Sequence, residues 1–189
     1  MALSAIALSS RALLKLGAAG IASFEEGTAE SELAANLYPP ARDALLSAHP
    51  WNFATGQARL PRLAAEPVAD FPYAYQLPAD FLRALSAGPE GRGRGIDYRI
   101  AERRLHAAAE SVVLTYVFRP DESAFPPFFD QALIARLAAE FCLSLTESTT
   151  RAEALHRLAE AEFRRARLID AQEETPPAVE DFTLLGGRG

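Results

Sequence analysis

The chain of 189 residues is 49% apolar, enough for one domain with a real core and short for two typical ones. Its formal net charge of -6 argues against a general nucleic-acid binder, which carries a basic excess. The single cysteine, Cys142, excludes an intramolecular disulfide, and no run reaches the ~18 apolar residues of a membrane span.

The opening MALSAIALSS lacks the basic start of a secretory signal, and Arg11 and Lys15 interrupt its apolar stretch. It reads as a first helix, with Leu3, Ile6, Ser10, Leu13 and Leu14 at helical spacing and Gly17 and Gly20 closing it. Thr28 or Ser31 can cap a second helix in which Leu33, Leu37, Ala41, Ala44, Leu45 and Ala48 share a face. Pro39 and Pro40 are expected to kink or break it, since each removes a backbone donor.

Proline biases the residue before it away from helical geometry, so the helix should stop at His49-Pro50. Trp51, the only tryptophan, and Phe53 lie two residues apart, which on an extended segment puts both rings on one face. His49, Pro50, Trp51 and Phe53 therefore read as an aromatic structural corner between a helix and a sheet. The competing reading is a ligand site built on His49 and Trp51.

Prolines crowd residues 61–89, and three segments look like strands: 81–85, 98–101 and 112–118. Between the first two lies Gly88-Pro89-Glu90-Gly91-Arg92-Gly93-Arg94-Gly95. Its glycines and arginines suit an anion, but the spacing fits no dinucleotide fingerprint and no Lys-Ser/Thr follows. It reads as a mobile hairpin tip, with a contact of Arg92 and Arg94 to phosphate or an acidic partner as the alternative.

Residues 130–145 form a helix with Leu133, Ile134, Leu137, Phe141 and Leu145 in a stripe, and Cys142 within it should be buried. Residues 151–170 form another, with Glu153–Arg157 and Glu160–Arg164 at i, i+4. Its thin stripe of Leu155, Leu158, Ala159, Ala166 and Ile169 fits a solvated surface helix or one facing another subunit. The tail AQEETPPAVEDFTLLGGRG has too little apolar surface to fold alone, yet it carries Val179, Phe182, Leu184 and Leu185. Those four read as anchors for another protein.

Chemistry has little footing in this chain. There is no Gly-x-Ser-x-Gly elbow, and His49, His106 and His156 sit in unlike contexts without zinc spacing. Glu25-Glu26 and Glu173-Glu174 read as solvated pairs. We expect no catalytic residue, no cofactor and no metal. The predicted fold is mainly α: a helical bundle of about four helices with a small antiparallel β insertion at about 58–119, and an extended C-terminal tail. Residues 1–170 would form one domain and 171–189 the tail.

Three blocks occur in a telling order: LGxxxIxSxxEG from Leu16, YPxARDxLLxxHPWNFA from Tyr38, and AYxLPxDFLR from Ala74. In that combination the chain resembles the head-to-tail adaptor proteins of tailed bacteriophages, also called tail tubular protein A or head completion proteins. The resemblance implies a structural virion protein at the head–tail junction, assembled in the host cytoplasm. About a dozen copies would form a homo-oligomeric ring on the portal protein, with a nozzle, stopper or other tail protein docking below. Genomic DNA would pass transiently through the lumen, and no membrane would be involved. It also implies that the C-terminal segment, with Val179, Phe182, Leu184 and Leu185, grips the portal. An acidic subunit suits such a lumen, because a strongly positive one would hold DNA in transit. Two rivals from other classes stand beside it. One is a small-molecule-binding or hydrolytic helical protein using the His49–Trp51 corner; the other is a DNA-binding accessory factor using Arg92 and Arg94.

Overall fold

A computed structural model of the chain describes residues 3–173. The Val179, Phe182, Leu184 and Leu185 anchors lie outside the described residues. Helix α1 spans Ala5–Leu16; Ser4 caps its start by accepting from the Ala7 N–H at 3.2 Å. Gly17 ends it in the left-handed conformation (φ 81°), which costs glycine nothing. The buried face is Leu8, Ser9, Ala12, Leu13 and Leu16, whereas Leu14, expected inside, is 62% exposed.

Helix α2 spans Ala29–Ser47 and opens on a reciprocal capping box between Thr28 and Ser31. Of the expected kink or break at Pro39 and Pro40, the break does not occur: the helix continues through both prolines. Both prolines are exposed, so water can reach the Ala35 and Asn36 carbonyls that they leave without donors. Meanwhile Ala34, Tyr38, Ala41, Leu45 and Leu46 bury the opposite face, and that packing holds the helix together. Ala44 and Ala48 are exposed, so the apolar face is turned from the expected one.

Helix α3 spans Pro127–Thr146 and α4 spans Thr149–Asp170. Helix α3 is the centre of the helical layer, touching α1, α2 and α4. That explains why it is apolar nearly all round, with Phe129, Leu133, Leu137, Phe141 and Cys142 fully buried. Helix α4 is not a free surface helix. Ala152, Ala159 and Ala166 recur every seven residues on its inner face, and Ala159 packs on Ala135 and Ala139 of α3. The pair that closes at i, i+4 is Arg136–Glu140 on α3, at 2.7 Å, rather than the two pairs expected on α4. Arg151 of α4 also reaches the C-terminal carbonyl of Leu16 on α1, at 3.1 Å.

The middle of the chain holds more sheet than expected. Strands β1 (Thr55–Arg59), β3 (Phe81–Gly88) and β6 (Val113–Phe118) form one antiparallel sheet in the order β1-β6-β3. Strands β2 (Tyr73–Gln76), β4 (Tyr98–Ala101) and β5 (Arg104–Ala107) form a second, in the order β2-β5-β4. Among the described residues the expected four helices and inserted antiparallel β region are both present, but the insertion forms two three-stranded sheets, so the fold is mixed α/β rather than a helical bundle.

The first sheet contributes to two cores. Val117, with Leu82 and Leu85 beside it, joins the core of the helices around Leu46, Trp51 and Phe129. Leu114 and Tyr116, on the other face of β6, join Tyr75, Leu105 and Ala107 in a core between the sheets. Among the described residues no helix is long and apolar enough to cross a membrane.

Candidate functional site

The block from Tyr38 to Ala54 is the natural place to look for a site, and it resolves into two linked clamps. The first lies along the second half of α2, where buried Tyr38 and half-buried Arg42 and Asp43 meet the chain after β6. Arg42 donates to Asp43 at 2.9 Å and to Glu122 at 3.0 Å, and the Tyr38 hydroxyl donates to Glu122 at 3.0 Å. Arg119, just past β6, grips the same Asp43 with two bonds of 3.0 and 2.6 Å. Tyr38, Arg42 and Asp43 thus tie α2 to the connection between β6 and α3.

The electrostatics follow from that geometry. Burial works to raise the Asp43 pKa, but hydrogen bonds from Arg119 and Arg42 outweigh it and hold the carboxyl below its ordinary value. Glu122 is likewise held low, against burial, by a backbone donor, Tyr38 and Arg42. Burial would discharge Arg42, yet its bonds to Asp43 and Glu122 keep its pKa raised. Burial and the Glu122 carboxylate push the Tyr38 hydroxyl far up, so it stays a proton donor.

The second clamp is the corner itself. Helix α2 ends without a glycine, leaving the Leu45 carbonyl unpaired within the helix; the Trp51 indole N–H donates to it at 3.1 Å. Trp51 is fully buried, with Phe129, Phe163 and His49 set edge-on to its ring at 5.2, 5.8 and 4.8 Å between centroids. The stretch Asn52–Ala54 is a 3-10 turn, not the expected extended segment. Trp51 and Phe53 still meet, at 6.0 Å, because both turn onto the same α3 phenylalanine, Phe129.

His49 Nε2 lies 3.2 Å from the carboxylate of Asp170, the last residue of α4. Asn52 donates its backbone N–H to Asp170 Oδ1 at 3.0 Å and its amide Nδ2 to the Asp170 carbonyl at 2.8 Å. Asp170 is 2% exposed. Burial, with Arg167 and Arg83 nearby, lowers the His49 pKa despite the pull of Asp170. The corner therefore engages His49 Nε2, the Trp51 indole N–H, the Asn52 amide nitrogens and the Asp170 carboxylate in contacts within the fold. Sequence reading missed Asp170, although a signal existed: an acidic residue at the C-terminus of a helix opposes the helix dipole and calls for a partner.

The other sequence blocks are structural as well. Asp80 accepts from the Tyr116 hydroxyl at 3.3 Å, and its carbonyl accepts from the Arg119 N–H at 2.9 Å, which pins the start of β3 to β6. Glu26 accepts from the Ala22 N–H at 3.1 Å and Ser23 donates to Glu25 at 2.9 Å, so these two acids brace the turn after α1 rather than merely facing water.

The Gly88–Gly95 loop is not a hairpin tip, because β3 and β4 belong to different sheets. It folds back over the first sheet. The Gly93 carbonyl accepts from Ser86 at 2.7 Å and from Thr115 at 3.2 Å, and Gln57 extends the row by donating to Thr115. Glu90 pairs with Arg59. Arg92 and Arg94 point outward and are exposed. The structure does not bring the arginine loop and the His49–Trp51 corner together into one site.

Among the described residues four buried side-chain atoms have no hydrogen-bond partner, Ser9 Oγ, Thr55 Oγ1, Arg83 Nε and Asp130 Oδ1. Asp130, near the start of α3, is 7% exposed and its Oδ1 has no hydrogen-bond partner. Burial pushes its pKa up to about 6, against the pull of Arg11. A groove of about 390 Å³ runs between α3 and α4, lined by Phe128, Gln131, Glu162, Arg165, Ala166 and Ile169. Near Trp51, a smaller cavity of about 150 Å³ holds His156 and Glu160, below the ~300 Å³ usual for a small-molecule site. Among the described residues, no group of three His, Cys, Asp or Glu is placed to hold a metal. No protein-family model matches the chain, and a comparison with curated proteins gives no match.

Proposed function

We propose that the chain is a structural subunit of a ring that joins a bacteriophage portal to its tail, as the three sequence blocks imply. The observation that carries this reading is the use to which the Tyr38–Ala54 block is put. Tyr38, Arg42, Asp43, His49, Trp51 and Asn52 all join secondary-structure elements to one another, and none presents a reactive group to a cleft. A motif built to hold a frame in shape fits a protein whose task is geometric. The helical layer also leaves Leu14, Leu143 and Leu168 more than half exposed, apolar surface of the kind that other subunits cover.

On this reading the function is adhesive. About a dozen copies surround the DNA path, one face and the C-terminal segment hold the portal protein, and another face receives a nozzle or stopper protein. The particle location is the head–tail junction, reached by assembly in the host cytoplasm. The test is a truncation. The full chain is expected to co-sediment with portal rings of the phage or prophage that encodes it. A chain ending before Thr175, with an unchanged circular-dichroism spectrum, is expected to stay in the supernatant. Equal co-sedimentation of both would remove the C-terminal segment from the interface; no co-sedimentation of the full chain would remove the ring role itself.

A further inference from the structure

We propose that in the free subunit the C-terminal segment of the chain occupies the apolar groove between α3 and α4 of the same molecule. This holds whether or not the chain is a ring subunit. The groove has an apolar floor, Phe128, Ala166 and Ile169, and a rim that carries one acid, Glu162, and one base, the exposed Arg165. Such a groove accepts a short segment with spaced apolar side chains and acidic neighbours. The sixteen residues from 174 to 189 provide one: Val179, Phe182, Leu184 and Leu185, with Glu180 and Asp181 between them.

Position selects this segment over other occupants. Ile169, which lines the groove, stands four residues before Glu173, where the described chain ends. The groove-lining stretch of α4, residues 162–169, covers roughly 10 Å at 1.5 Å per residue. Phe182 is nine residues beyond Glu173 and can lie anywhere within roughly 30 Å of it. A ligand tethered that closely acts at an effective concentration on the order of millimolar, well above that of a separate partner.

Charge points the same way. Arg165 on the groove rim and Arg164 and Arg167, exposed beside it on the last two turns of α4, outnumber the rim's one acid, Glu162, and the following segment carries Glu173, Glu174, Glu180 and Asp181. Opposite charges on the two sides of a fold-back favour the closed arrangement and add a salt dependence to it. While docked, the segment covers both itself and the groove, so any partner that uses the segment must first draw it out.

The single tryptophan gives a direct readout, because Phe128 packs against Trp51 at 6.3 Å between ring centroids. A dansyl group on Gly187→Cys, attached under native conditions that leave the buried Cys142 unlabelled, acts as acceptor for Trp51 fluorescence. The expected result is strong energy transfer in the labelled full chain, constant on dilution. It should be weaker at high salt or with Arg165→Glu, and lost in the triple variant Phe182→Ser/Leu184→Ser/Leu185→Ser. A circular-dichroism spectrum and melting temperature equal to those of the triple variant's parent establish that the variant is folded. Transfer that disappears on dilution would assign the groove to the segment of a second copy and overturn the proposal. Absence of transfer in the free chain at every concentration, or transfer unchanged in the triple variant, would overturn it as well.

Discussion

Asn52 and Asp170, 118 residues apart in sequence, hold each other by two hydrogen bonds, through both backbone and side chain. The contact ties the last residue of α4 to the corner that follows α2, so the ends of the helical layer depend on one another. Asp170→Ala would remove the charged acceptor of the part-buried bond from the Asn52 N–H, and a loss of about 1–3 kcal/mol is expected. Asp170→Asn keeps an acceptor oxygen and should lose less. Urea unfolding of the two variants orders them; equal losses would mean that the carboxylate matters only as charge.

Trp51→Ala removes the largest fully buried side chain among the described residues, together with the donor that completes the C-terminus of α2. An aromatic-to-alanine change in a core costs about 3–5 kcal/mol. Trp51→Phe keeps much of the packing and loses the bond to the Leu45 carbonyl, so it should fall between the two. If Trp51→Ala were fully stable, the corner would not be a structural plug.

Asp130 gives stability a pH dependence whose sign is fixed. Its folded pKa of about 6 lies above the ordinary value of 3.8, so between those limits the folded state keeps a proton that the unfolded state has released. Stability from this group is therefore greatest at low pH, falls as pH rises from about 4 to about 6, and stays reduced above. Two pK units correspond to on the order of 2–3 kcal/mol. Asp130→Asn should abolish that slope and be at least as stable as the parent at pH 7. Thermal unfolding across this range tests it; an unchanged slope in the variant would place the titration elsewhere.

Much of the helical part of this fold is legible in the sequence, and so is half of the sheet: β3, β4 and β6 lie where strands are expected at 81–85, 98–101 and 112–118, while β1, β2 and β5 are not foreseen. Residues 130–145 and 151–170 stand out because apolar and charged residues recur at helical spacing over several turns, and the structure places α3 and α4 there. Strand β6, Val-Leu-Thr-Tyr-Val-Phe, stands out because its β-branched and aromatic residues favour a strand by themselves. Strands β1 (Thr-Gly-Gln-Ala-Arg) and β5 (Arg-Leu-His-Ala) have no such composition. They exist because of what they pair with, β6 in one case and β2 and β4 in the other, and pairing is not visible along one stretch of chain. The Pro39-Pro40 pair misleads for a related reason: tertiary packing of Tyr38 and Ala41 outweighs a local penalty. The corner is legible as architecture from His-Pro-Trp-Asn-Phe, while its partner Asp170 is not.

The arginine loop can be tested by separating its backbone from its charges. Gly88 and Gly93 sit where a side chain does not fit: a Cβ on Gly88 would overlap the Arg92 carbonyl, and one on Gly93 would lie 2.5 Å from Thr115 Oγ1. Gly88→Ala should lose about 1–3 kcal/mol, as overpacking does, and release the loop from the first sheet. Arg92→Ser/Arg94→Ser should leave the melting temperature unchanged, because both side chains are exposed. Submicromolar, salt-sensitive DNA binding lost in that double variant would favour the DNA-binding rival.

The central claim is that this chain is a ring subunit acting by adhesion, and mass is its most direct measure. Portal rings of the phage or prophage that encodes the chain would be titrated with the full chain and followed by light scattering. The account predicts a mass that rises and then saturates at about one chain per portal subunit, whether or not the free chain is monomeric. A portal mass unchanged at micromolar chain, under conditions where both proteins are folded, would contradict it.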